Sequence, residues 1–331
     1  MNQLRKNPLN GEWVIIGDKI GGKTKFSYQN CPFCPGQEEQ TPPPIYQFCK
    51  PDGCWQVRVV PDKYPVMRIE GDLTKAGQGV LDWMNGIGAH EIIIESPEHA
   101  SSMAGLAPEH IETILQAWQY RISDLKKDPR FQYILIFQNQ GSQTGVFTTH
   151  PYSQLLATPF IPTMVKNELK SLKAYYERKE RCLLCDLLKQ ELSLDKRVVL
   201  SDQDFVVIAP FASACSYELL ILPRHHQYRF ELENDSTIKN LAAILKIILQ
   251  KLEKVFIAEP AFTLTVLTSP NESCEEANAD QWKTIKEDFH WHIKITPLLT
   301  NVSGLERGSG IHTNTISPED ATIRLKDIIV E

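Results

Sequence analysis

At 331 residues with 42% hydrophobic side chains, the chain has room for about two domains and enough apolar surface to bury a core. A net charge of -6 and a pI near 5.9, with no run of like charge, exclude a phosphate-backbone binder of DNA or RNA and leave any anionic ligand to a local site. No stretch approaches the roughly 18 apolar residues of a membrane span and the opening residues lack an apolar leader, so a cytoplasmic protein with no membrane partner is expected.

In chain order, the first distinctive element is Cys31-Pro32-Phe33-Cys34, a tight knuckle. Glu91-Ile92-Ile93-Ile94-Glu95 follows as a buried strand whose continuation reaches His99. Ile111, Ile114, Leu115, Trp118, Ile122 and Leu125, three and four residues apart, predict an amphipathic helix. A strand at Tyr133–Phe137 and the segment His150-Pro151-Tyr152-Ser153-Gln154 complete the series.

The same series then recurs. Cys182-Leu183-Leu184-Cys185 opens it, Glu218-Leu219-Leu220-Ile221-Leu222 leads to His225-His226, and a helix carries Ile238, Leu241, Leu245, Ile248 and Leu252. Phe262–Val266 is the next strand, and His290-Trp291-His292-Ile293-Lys294 closes the copy. We read two α+β lobes, 1–160 and 181–331, fused into one unit through a linking helix within 161–180.

Each lobe offers two cysteines on a turn and two histidines at strand ends, the donor set of a closed tetrahedral metal site. The sets are Cys31, Cys34, His99, His150 and Cys182, Cys185, His226, His290. One C-x-x-C pair also suits a redox centre, but its recurrence beside matching histidines points to metal. In the second set His225 or His292 can substitute for its neighbour, and the ion can be zinc or iron. His90, His110 and His312 match no element of the repeat and are read as structural or exposed; Cys49, Cys54, Cys215 and Cys274 show no comparable pattern.

These segments, together with Arg5–Trp13, Val57–Pro65, Phe137–Gly141 and Pro210–Ser213, resemble the galactose-1-phosphate uridylyltransferase family of the histidine-triad superfamily. The resemblance implies two tandem histidine-triad-like lobes, each an antiparallel sheet with packed helices, zinc at one or both sites, and a homodimer. It also implies nucleotidyl transfer between a nucleotide sugar and a sugar 1-phosphate through a histidine adduct. The nucleophile belongs at the third position of His-Pro-His-x-Gln, which here is Tyr152. His150 carries over as a metal ligand and Gln154 as a phosphoryl hydrogen-bond donor. Lys23, Asp62, Asn139, Gly141 and Gly145 align with nucleotide-sugar contacts; Lys23 and Ile20 replace arginines, Asp62 an asparagine, and Phe147 a small residue. Lys294 and Leu267 replace polar groups in the second lobe.

Phenol ionises near pH 10 where imidazole is already a free base at 7, a deficit of roughly 4 kcal/mol for a tyrosine nucleophile. A tyrosyl phosphodiester also gives up its nucleotide less readily than a phosphohistidine. Two readings follow: an enzyme that transfers nucleotide by a changed route, including use of His292, or a catalytically silent protein that keeps the fold and the nucleotide-sugar pocket.

Overall fold

The computed structural model describes residues 2–17, 30–51, 53–99, 102–146, 148–256, 261–274, 282–299 and 303–330. Ile20, Lys23 and Phe147 lie outside the described residues.

Short β-branched and aromatic runs give the strands. A small sheet holds β1 (Gln3–Lys6), β2 (Trp13–Ile16), β5 (Lys75–Gln78) and β6 (Leu81–Asn85) in the order β2-β1-β6-β5, packed through Leu4, Met67 and Met84. The main sheet takes from the first lobe β3 (Tyr46–Cys49), β4 (Trp55–Pro61), β7 (Ala89–Ile94), β8 (Tyr133–Gln140) and β9 (Tyr152–Thr158). From the second it takes β10 (Val198–Ser201), β11 (Phe205–Ile208), β12 (Leu219–Pro223), β13 (Phe262–Leu267) and β14 (His292–Pro297).

Every pairing within these sheets is antiparallel. The two five-stranded halves, β3-β4-β7-β9-β8 and β10-β11-β12-β14-β13, have the same internal order and join edge to edge where β8 meets β13. Asn139 stands opposite Thr263 in that seam, and the Thr263 hydroxyl donates to Asn139 Oδ1 at 3.2 Å. Each lobe thus covers the other's exposed edge, and the ladder continues without interruption.

One face of the sheet is the core. Helices α1 (Pro108–Leu125) and α4 (Asp235–Val255) lie against it and against each other. All six apolar residues that predict α1 are buried, as are all five that predict α4; each such side chain contributes about 1.5–3 kcal/mol of burial. Asn234 caps α4 by accepting from the Thr237 amide at 3.0 Å. Beneath α1, Glu91 grips Arg121 through two 2.8 Å hydrogen bonds with both side chains buried.

The other face is left half-open at its centre. Register puts Tyr152 beside Ile94, and Gln154 between Ile92 and Phe137, so these residues and Asn139 share that face. Phe137, Asn139, Gln154, Thr263, Thr265 and Lys294 are all half-buried, alternating with buried residues that point to the helices. The segment linking the lobes contains α2 (Thr163–Lys179), and α3 (Leu183–Leu194) follows it. No described helix is long and apolar enough to cross a membrane.

Candidate metal centres and adjoining cleft

Cys31 and Cys34 sit on a hydrogen-bonded turn, with the Cys34 amide donating to the Cys31 carbonyl at 3.3 Å. Cys182 and Cys185 do not occupy a comparable knuckle: Cys182 is the residue just before α3, with no capping hydrogen bond from its side chain, and Cys185 lies in the first turn of that helix. The difference is local. Pro32 within the first pair and Pro35 and Gly36 just after it oppose a helix there, whereas Leu184 and Leu188 give the second pair a helical stripe to bury.

Both predicted quartets assemble, with all ligand atoms of each set within 4.8 Å of one another. Cys34 Sγ lies 3.4 Å from His99 Nδ1 and 3.7 Å from His150 Nδ1; Cys185 Sγ lies 3.4 Å from His226 Nδ1 and 3.5 Å from His290 Nδ1. A tetrahedral ion with bonds of about 2.3 Å to sulfur and about 2.0 Å to nitrogen requires a sulfur–nitrogen separation of roughly 3.5 Å. The donor sets fit such an ion.

The outer ring nitrogens of His150, His226 and His99 support the fit, while His290 Nε2 is buried with no hydrogen-bond partner among the described residues. His150 Nε2 donates to the Ser96 carbonyl at 2.7 Å and His226 Nε2 to the Lys286 carbonyl at 2.7 Å, which turns each Nδ1 lone pair inward. His99 Nε2 lies 2.9 Å from Thr149 Oγ1, and Thr148 Oγ1 lies 3.6 Å from Cys31 Sγ. Burial depresses His99 and His290 and takes His150 down to about 4, so these rings stay neutral and able to ligate near pH 7. Burial and Cys31 push the Cys34 thiol up to about 11. In the second quartet the hydrogen bond from Cys185 lowers Cys182, and contact with Cys182 raises His226. A bound cation overrides these thiol preferences by favouring both thiolates.

His292 is outside the second quartet. Its Nδ1 lies 3.1 Å from the His290 carbonyl and its Nε2 3.2 Å from Glu168 on α2, so both nitrogens are engaged elsewhere. His225 is likewise taken, by Glu233 at 3.0 Å. Lys294 pairs with Glu218 at 2.7 Å.

Beside the first quartet is a cleft of about 130 Å³ whose wall includes Asn139, Gly141, Thr149, His150 and Tyr152. Gly141 (φ 86°, ψ 148°) and Gly145 (φ 79°, ψ 19°) flank the turn that ends β8, in conformations that disfavour a side chain. Tyr152 is only 3% exposed; its ring meets Phe33 edge-on at 5.6 Å and packs with Val60, Ile92 and Ile94. Asp62 is turned into the protein: Oδ1 accepts from the Tyr64 amide at 2.7 Å, and Oδ2 lies 3.2 Å from His90 Nδ1. The other ring nitrogen of His90 lies 3.1 Å from Gln154 Oε1.

His90, read from the sequence as structural or exposed, therefore connects two residues expected to serve the ligand. Strand alternation held the signal, since positions 90, 92 and 94 of β7 share the face of Tyr152 and Gln154. Behind the sheet, Gln138 Nε2 donates to Glu95 Oε2 at 2.7 Å; burial pushes the Glu95 carboxyl up to about 8. His110 is also placed, with Nε2 donating to the Glu95 carbonyl at 2.7 Å.

Comparison with known proteins agrees with this architecture. The family model described as galactose-1-phosphate uridyl transferase, N-terminal domain, matches residues 2–162, and its C-terminal counterpart matches 168–317. An ADP-glucose phosphorylase of Arabidopsis thaliana is 30% identical, with 98% of this chain and 93% of that protein aligned. A galactose-1-phosphate uridylyltransferase of Thermotoga maritima is 26% identical over the whole of both chains. Among solved structures, that of an Arabidopsis thaliana ADP-glucose phosphorylase with bound ADP-glucose superposes with a TM-score of 0.79 at 28% identity, covering all of both chains.

Proposed function

Because this chain belongs to the galactose-1-phosphate uridyl transferase family, we propose that it transfers a nucleotidyl group from a nucleotide sugar directly to a phosphate or sugar 1-phosphate, without a covalent enzyme intermediate. The observation that carries this reading is Tyr152, set in the cleft wall at the position of the nucleophile yet packed among Phe33, Val60, Ile92 and Ile94. A phenol in water is ionised to about one part in a thousand at pH 7. At that ionisation Tyr152 is a poor nucleophile.

Direct transfer does not need it. An acceptor phosphate oxygen forms a bond to the α-phosphorus while the bridging bond to the β-phosphate breaks, and sugar 1-phosphate leaves with the electron pair. The protein's part is placement and charge stabilisation. The cleft has room for a phosphoryl group but not for a whole nucleotide sugar, so the ligand extends over the half-open sheet face past Asn139 and Gln154. Asn139 and Gln154 supply neutral hydrogen bonds, and the Gly141–Gly145 turn permits close backbone approach. The 30% identity to an ADP-glucose phosphorylase supports inorganic phosphate as one acceptor and an adenine nucleotide as one donor.

We assign zinc to both quartets, through Cys31, Cys34, His99, His150 and Cys182, Cys185, His226, His290. With four protein ligands each, bound zinc would supply structural crosslinks rather than an open coordination position. In the first lobe His150 holds the chain two residues before Tyr152.

The stereochemistry at phosphorus tests the route. With an α-thio-substituted ADP- or UDP-glucose of one configuration, direct displacement inverts the phosphorus, and initial rates against both substrates intersect. Retention with parallel rate lines refutes direct transfer. The burial of Tyr152 also favours a second reading, a nucleotide-sugar-binding protein without turnover, and saturable binding with no product under the same conditions selects it.

A further inference from the structure

We propose that His90 is a positioning residue that fixes the Gln154 carboxamide for its ligand, braced from behind by Asp62; this rests on the nucleotide-sugar reading given above. The Asp62–His90–Gln154 line runs across three adjoining segments. Asp62 follows β4, His90 is on β7 and Gln154 on β9, and His90 and Asp62 are further tied by the hydrogen bond from the Asp62 amide to the His90 carbonyl at 2.9 Å. The ring is almost wholly buried, with 7% side-chain exposure, so it has one setting; Gln154 is half-buried and reaches the open face.

The contact also sets the sense of the amide. The brace and the contact together need an N–H on each ring nitrogen: Nδ1–H faces Asp62 Oδ2 at 3.2 Å and Nε2–H takes Gln154 Oε1 at 3.1 Å, and in that form the amide nitrogen is left to donate outward, the polarity an anionic phosphoryl oxygen needs. An unheld glutamine rotates between both senses and offers oxygen to the anion as readily as nitrogen.

The internal repeat shows the same cross-strand contact with different chemistry. Register places Ile92 opposite Gln154 and Leu220 opposite Lys294, so Glu218 stands where His90 does, and it pairs with Lys294 at 2.7 Å. In the second lobe the contact is an ion pair; in the first it is a ring against a neutral carboxamide, which keeps an N–H to offer a ligand.

Asparagine and glutamine substitutions separate the two ends of the ring, since asparagine reaches where Nδ1 was and glutamine where Nε2 was. Calorimetric titration with ADP-glucose and UDP-glucose should show about a tenfold loss of affinity for His90→Asn, as expected for one misdirected hydrogen bond to a charged group. His90→Gln should stay within about threefold of the unaltered chain. Gln154→Ala should lose about as much as His90→Asn, and the double variant no more than either alone. Equal losses in both His90 variants, or additive losses in the double variant, overturn the proposal.

Side-chain amide signals of Gln154, followed by nitrogen-15 NMR, give a readout independent of ligand. They should be dispersed in the unaltered chain and in His90→Gln, and collapse toward solvent-exposed values in His90→Asn. If no nucleotide sugar binds the unaltered chain, the functional reading fails while this spectrum still tests the positioning; unchanged Gln154 signals in His90→Asn refute it. Should the His90 variants not fold, Asp62→Asn carries the test, with partial loss of the Gln154 dispersion expected and none contradicting the brace.

Discussion

Cys34→Ser and Cys185→Ser each remove one sulfur from a quartet whose sulfur–nitrogen separations, 3.4 to 3.7 Å, match a four-coordinate ion. Purified protein should contain two zinc ions per chain by elemental mass spectrometry, each variant one, and the double variant none. A site held at 100 to 1,000 times its dissociation constant contributes about 2.7 to 4.1 kcal/mol to stability. For 331 residues the unfolding entropy is about 0.7 kcal/mol per kelvin. Each lost ion should therefore lower Tm by about 4 to 6 °C, and chelation, which removes both, should lower the unaltered chain by about 8 to 12 °C and the double variant no further. Because the lobes share one sheet, the two losses should appear in a single cooperative transition. Full metal content in either single variant, or chelator insensitivity of the unaltered chain, refutes the assignment.

Other outcomes follow from buried charge. Glu95, fully buried, has its folded pKa raised to about 8 chiefly by burial, while hydrogen bonds from Ser153 and Gln138 pull the other way. Between the carboxylate range of an unfolded chain and pH 8 the folded form holds the extra proton, so stability falls as pH rises through that window. Glu95→Gln should be more stable than the unaltered chain by a few kcal/mol at pH 8.5 and similar at pH 4.5, by urea unfolding; an equal difference at both pH values contradicts this. Glu91→Ala leaves Arg121 buried with Asp124 at 2.9 Å as its remaining carboxylate partner among the described residues, and should cost about 3–5 kcal/mol in the same assay. Glu168→Gln, which takes the carboxylate from His292, should leave the metal content at two ions, since His292 lies outside the quartet.

The repeat, the ligand quartets and the two amphipathic helices were legible because each is written locally, in spacing and periodicity. Ile111 through Leu125 and Ile238 through Leu252 mark their own buried faces. The seam between β8 and β13 was not, since Asn139 meets Thr263 across 124 residues and nothing in either strand names its partner. The second cysteine pair, expected on a turn, opens a helix instead, because C-x-x-C fits both a turn and the first turn of a helix; Leu184 and Leu188 decide between them only when the core is known. His292 could not be separated from the ligands by spacing alone, as Glu168, the residue that engages it, lies on a helix far away in sequence. His90 was passed over because it matched no element of the repeat by residue type; by register its place in the second lobe is taken by Glu218, which pairs with Lys294.

The role of Tyr152 is tested most directly by intact-protein mass spectrometry after mixing with ADP-glucose or UDP-glucose, on the unaltered chain and its Tyr152→His variant. The account predicts no nucleotidyl adduct on the unaltered chain and, on the variant, an adduct that glucose 1-phosphate discharges. An adduct on Tyr152 itself, formed and discharged within seconds, would contradict it.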